Sequence, residues 1–179
     1  WSFNGTSHGS SFDPAMDLPG LYAYAVQGTG GCMNDTAWVT VMMNQAPDAG
    51  SNGVLVLCDD TLAAIVLRQV LGGNPDVGGS WTNSGTGLPA SDIYLPTNFG
   101  AGVHSFTYTV QGQSPCPAAN AQATIIQNAK AVAGNDASTT LCSDGGNMDL
   151  LALLGNAADP AGSWIDADGA PATALFSPS

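Results

Sequence analysis

The chain has 179 residues, two cations (Arg68 and Lys130), fourteen acidic side chains that are all Asp, and a formal net charge of −12. So few Lys and Arg exclude a nucleic-acid ligand, whose phosphates need cations, and docking on anionic lipid. No apolar run approaches a membrane span, so no membrane insertion is expected. Helix-favouring Glu is absent and Lys nearly so, while 23 Gly and 11 Pro supply turns, which points to an all-β chain of short strands.

In chain order, Tyr22, Tyr24 and Val26 alternate as a strand does and are followed by Cys32. Trp38 to Met42 reads as the next strand, with Ala37, Val39 and Val41 on one face. Residues 45–50 form a Pro- and Gly-containing linker. Val54 to Cys58 reads as a short apolar strand. Thr61 to Leu71 is apolar and ends at Gly72-Gly73, which predicts a short helical segment with a Gly cap. Asn74-Pro75-Asp76 is a turn. Gly79 to Thr82 and Ile93 to Leu95 are short strands. From His104 to Gln111, Phe106, Tyr108 and Val110 point inward and Ser105, Thr107 and Thr109 outward. Gln122 to Gln127 is the last strand before a linker over 128–134.

The middle of the chain matches itself after a slide of 84 residues. Tyr22, Tyr24, Val26, Gly28 and Cys32 fall on Phe106, Tyr108, Val110, Gly112 and Cys116; Ala49-Gly50 falls on Ala133-Gly134, and Cys58 on Cys142. A slide of 83 places Gly79-Ser80-Trp81 on Gly162-Ser163-Trp164, and Trp1 takes the same position one unit earlier. The expected organisation is therefore the rear half of one repeat at 1–49, a complete repeat at 50–133, and the front half of the next at 134–179. About six short strands per 84 residues fit a two-sheet, Ig-like β-sandwich. Short linkers would stack the units as a semi-rigid rod. The chain reads as a piece of something longer.

Little in the sequence points to chemistry. His8 and His104 are isolated from each other and read as surface residues, no phosphate loop or zinc spacing occurs, and the chain is not expected to be an enzyme. No cofactor is expected; structural calcium at Asp48 and Asp136, which flank the linkers, and at Asp59-Asp60 is the alternative to plain turn-forming Asp. Trp1, Trp81 and Trp164 read as core anchors, against a sugar-stacking alternative. Trp38 falls opposite Gln122 of the next repeat, on the outward face, and with Met42-Met43 beside it is a candidate contact for assembly between units or chains.

The ordered signature runs from a Cys after an apolar strand, through Leu-Gly-Gly-Asn-Pro-Asp-Val-Gly-Gly-Ser-Trp and Phe-Thr-Tyr-Thr-Val-Gln-Gly, to Pro-Cys-Pro and Ala-Gln-Ala-Thr-Ile. It resembles the tandem repeats of very large Bacteroidota surface proteins, such as the flavobacterial gliding-motility adhesin and relatives that carry a gliding-motility-associated C-terminal sorting domain. That resemblance implies an extracellular, cell-surface location, export by the type IX route, and a structural role in an adhesin or fibre. The partners it implies are neighbouring repeats or chains of the same protein, with surface glycans as further candidates. It also implies O-glycosylation at Asp followed by Ser or Thr and a small apolar residue, which here selects Thr36 and Thr61. Repeats that bind glycans, and a spacer region of a secreted exoenzyme, are the alternative functions.

The four cysteines imply an oxidising compartment. By analogy with the inter-sheet bridge of Ig domains, Cys58–Cys116 is the expected disulfide within the complete repeat, closing a long loop worth about 4 kcal/mol. Cys32 and Cys142 would then pair outside their half-repeats. The other pairing, Cys32–Cys58 with Cys116–Cys142, spans the linkers and stays open at this point.

Overall fold

The computed structural model describes residues 1–178. The chain is mostly β, with little helix, and irregular segments join its short strands. Strands β1 (Ser2–Phe3), β2 (Thr6–Ser7), β3 (Gly20–Val26) and β4 (Asp35–Val41) form one sheet in the order β2-β1-β3-β4. They are followed by β5 (Gly53–Cys58), β6 (Ile65–Val66), β7 (Ser80–Asn83), β8 (Pro89–Ala90), β9 (Ile93–Tyr94), β10 (Gly102–Val110) and β11 (Ala119–Asn128). These make a five-stranded sheet, β5-β11-β10-β7-β8, and a two-stranded one, β6-β9. The last stretch holds β12 (Met148–Asp149), a single helical turn α1 (Leu150–Leu153), β13 (Trp164–Ile165), β14 (Pro171–Ala172) and β15 (Leu175–Phe176), paired as β12-β15 and β13-β14.

By tertiary contacts the chain divides into two compact units. The first comprises Trp1–Val54, Val66–Ile93 and Ser105–Thr124; the second comprises Leu55–Ile65, Tyr94–His104 and Ile125–Ser179.

Within the first unit, β3 and β4 pair antiparallel from Gly20↔Val41 to Val26↔Asp35. The period of two puts Tyr22, Tyr24 and Val26 on one face with Val39 and Val41. Tyr22 is buried under Phe3, His8 and Phe12, with ring centroids 4.7, 5.0 and 5.8 Å away. In the same unit β10 pairs β7 with Tyr108 opposite Trp81, and β7 pairs β8 with Trp81 opposite Ala90. Trp81 is 6% exposed and lies 4.8 Å from the Tyr108 ring. The Tyr108 hydroxyl donates to Asp76 O (2.7 Å) and accepts from Gly79 N–H (2.9 Å), which answers its burial. Fully burying a side chain of this kind contributes about 1.5–3 kcal/mol.

The second unit holds a buried polar lock. Gln127 is 1% exposed; its Oε1 accepts from the Tyr94 hydroxyl at 2.6 Å, and its Nε2 donates to Pro96 O (3.2 Å) and Phe99 O (3.3 Å). Burial pushes the Tyr94 hydroxyl above its ordinary pKa, which keeps it a neutral donor. Tyr94 stacks on Phe99 with centroids 4.5 Å apart.

The helical segment expected over 61–71 is much shorter than expected. β-branched Ile65 and Val66 take strand geometry as β6, and only Leu67–Gln69 form one 3-10 turn, closed by Val70 N–H on Leu67 O. The counterpart in the last stretch, α1, is a four-residue turn whose N-cap Asp149 carboxylate accepts from Leu151 N–H at 2.9 Å. Among the described residues no helix is long and apolar enough to cross a membrane.

Candidate functional site

The two stretches expected as linkers, 45–50 and 128–134, each carry paired backbone and carboxylate hydrogen bonds. In the first unit Asp48 ends the linker as a turn: its Oδ1 accepts from Gly50 N–H at 2.7 Å. The backbone of Asp48 is held from across the turn at 74–76, with its N–H on Asp76 Oδ2 (2.9 Å) and its carbonyl accepting from Asp76 N–H (2.8 Å). Ser51 and Gly72 then exchange both backbone hydrogen bonds, 2.9 and 3.0 Å. Gly50 sits at φ +76°, and a Cβ there would lie 2.5 Å from Gly72 O. The close backbone approach requires glycine.

The linker over 128–134, in the second unit, repeats much of this. Val132 N–H donates to Asp159 Oδ2 and Asp159 N–H to Val132 O, both at 2.8 Å. Asn135 N–H donates to Leu154 O at 2.9 Å, and a Cβ on Gly134 would lie 2.5 Å from that same oxygen. Lys130 N–H donates to Asp59 Oδ1 and Asp59 N–H to Asn128 O, again at 2.8 Å. These Asp carboxylates act as acceptors for backbone N–H groups. Among the described residues no group of three or more His, Cys, Asp or Glu is placed to hold a metal ion; Asp60 and Asp136 are exposed.

All four cysteines stand as free thiols. Cys58 closes β5, and the next residue bonds to Asn128 at the end of β11. Cys116 precedes the start of β11, with its Sγ 3.4 Å from Asn44 O. The expected Cys58–Cys116 pair falls on residues of different units, Cys58 of the second and Cys116 of the first. Cys32 and Cys142 are exposed.

Thr36 is exposed on β4 and its N–H donates to Asp35 Oδ1 at 2.9 Å; Thr61 is half-buried in a turn, its N–H on Cys58 O at 3.1 Å. Trp38, opposite Ala23, is 61% exposed, and Met42 and Met43 are exposed beside it in sequence. Of the three tryptophans read as core anchors, Trp81 is buried, Trp164 half-buried and Trp1 40% exposed. Trp1 still meets Tyr24 at 5.1 Å and 35°, close to the 4.8 Å and 35° of Trp81 on Tyr108.

Two arrangements go beyond the sequence reading of the histidines as isolated surface residues. His8 Nε2 lies 2.9 Å from Asp17 Oδ1, and its Nδ1 faces Gly9 O at 2.8 Å. The hydrogen bond to Asp17 raises the imidazole pKa; the Asp13 backbone N–H and then His8 hold the Asp17 carboxyl below its ordinary range. His104 Nε2 meets Gly100 O at 2.9 Å while its ring packs on Tyr94 and Phe99. The sequence signals were the turn-rich Asp13–Asp17 stretch and the aromatic Phe99, but loop geometry alone brings each pair together. No family model, curated protein or solved structure matches the chain.

Proposed function

We propose that this chain is a run of tandem Ig-like β-sandwich repeats, a structural region of an extracellular cell-surface adhesin or fibre that supplies reach, stiffness and display. The observation that carries the reading is the recurrence of the same local geometry at positions 80–84 residues apart. The hairpin register Trp81↔Ala90 and Thr82↔Pro89 returns as Trp164↔Ala172 and Ile165↔Pro171. The tilted Trp–Tyr contact occurs twice, and the Asp76 clamp on Asp48 returns as the Asp159 clamp on Val132. A linker held by paired backbone and carboxylate hydrogen bonds, with a glycine closed against the next turn, favours transmission of force over free swivelling. The wide spacing of His and the use of Asp carboxylates on backbone donors favour a mechanical role over catalysis.

Single-molecule pulling of the chain by its ends under reducing conditions tests the reading. An 84-residue repeat that unfolds as one body releases about 280–300 Å of contour length in a single step. Gradual extension with no such step, or steps unrelated to that length, would sink the proposal.

A further inference from the structure

We propose that the cysteines join consecutive repeats rather than the two sheets of one repeat: Cys58 pairs with the counterpart of Cys116 in the following repeat, and Cys116 with the counterpart of Cys58 in the preceding one. This rests on the tandem-repeat reading above and adds a crosslink to it.

The geometric argument uses one carbonyl as a common reference. Asn44 and Asn128 are 84 residues apart and so hold the same place in the proposed repeat; Asn128 ends β11 and Asn44 follows β4 by three residues. Asn44 O is approached at 3.4 Å by Cys116 Sγ, a thiol of the repeat that follows it. Asn128 O is approached at 2.8 Å by the N–H of Asp59, the residue after Cys58, from its own repeat. In a continuous array each such carbonyl therefore has a cysteine of the next repeat on one side and the Cys58-type cysteine of its own repeat one residue away on the other.

Both sides are held in place. Asn44 Nδ2 donates to Ser114 O at 2.8 Å, and Cys116 N–H to Gln113 O at 2.8 Å, fixing the loop that carries the thiol. Cys58 is fixed by its strand and by Thr61 N–H on its carbonyl at 3.1 Å. Formation of the bond removes two protons and two electrons from the thiol pair. A disulfide oxidant such as oxidised glutathione accepts them and leaves as two reduced molecules. The product would tie each linker covalently beside its hydrogen-bonded clamp.

The test continues the chain after Ser179 with a second copy of residues 98–133, which completes the third repeat and supplies the following repeat's cysteine, in a Cys116→Ser background. The protein is oxidised with glutathione disulfide, alkylated and digested without reduction. The expected result is one intrachain disulfide joining Cys58 to the added cysteine, with alkylation lost at both together. Cys58 that stays open to alkylation, or that links to Cys32 or Cys142, overturns the proposal. A second arm uses the 179-residue chain itself: Asn44→Cys is expected to form an intrachain disulfide with Cys116, and a Cys116 that remains alkylated there overturns the placement. Pulling under reductant reads the repeat without any disulfide, so failure of the repeat reading and failure of the crosslink are separate results.

Discussion

Tyr94 and Gln127 illustrate how a polar side chain comes to be buried in a strand. The alternation of Ala121, Ala123 and Ile125 places Gln127 on the same inward face, so its burial follows from the period of two. Its three hydrogen bonds do not, because Tyr94, Pro96 and Phe99 belong to another stretch of chain. The His8–Asp17 pair is likewise a product of a loop folding back. A histidine whose pKa is raised contributes stability that is complete below its unfolded pKa and lost as pH rises through the folded one. Asp17, lowered, contributes stability present above its unfolded pKa and lost as pH falls through the folded one. The pair is therefore strongest between the two ranges. NMR titration of His8 is expected to give a midpoint above the ordinary histidine value, and Asp17→Asn is expected to move it back down; a midpoint unaffected by Asp17→Asn would refute the pairing.

At the scale of elements, strand pattern was the most readable property. β10 lies where the alternation placed it, with Phe106, Tyr108 and Val110 buried and the intervening Ser and Thr half-buried, and β11 covers the strand expected over Gln122 to Gln127 but begins earlier, at Ala119. The segment over 61–71 was misread because Leu-rich apolar spacing resembles a helix face, whereas β-branched Ile65-Val66 and the pairing of β6 with β9 draw it into a sheet. The linkers depend on backbone approach. Gly50→Ala places a side chain at positive φ and against Gly72 O, Pro75 Cβ and Pro75 Cδ, at 2.5, 3.3 and 3.3 Å. A loss of about 1–3 kcal/mol of unfolding free energy is expected, measured by urea denaturation; an unchanged midpoint would show that this closure does not bear on stability.

For the whole molecule, charge is the dominant property. Fourteen Asp against two cations leave a self-repelling surface, and repulsion between exposed charges is screened within about 10 Å at 0.1 M salt. The thermal unfolding temperature is therefore expected to rise as sodium chloride is raised from about 10 mM to about 150 mM. A fall over that range, followed by calorimetry, would mean that specific ion pairs outweigh the net repulsion.

Composition and spacing by themselves determined that the chain is built of strands, which residues alternate inward along β10, and which positions recur along the sequence. These are local properties, set by the backbone's period of two and by the residues each turn requires. Only the tertiary structure decided where the thiols lie, which Trp is buried, and that the linker carboxylates hold backbone amides. Those outcomes depend on the direction and length of strands between residues far apart in sequence, and equal spacing along a chain carries no information about the end of a strand at which a side chain emerges.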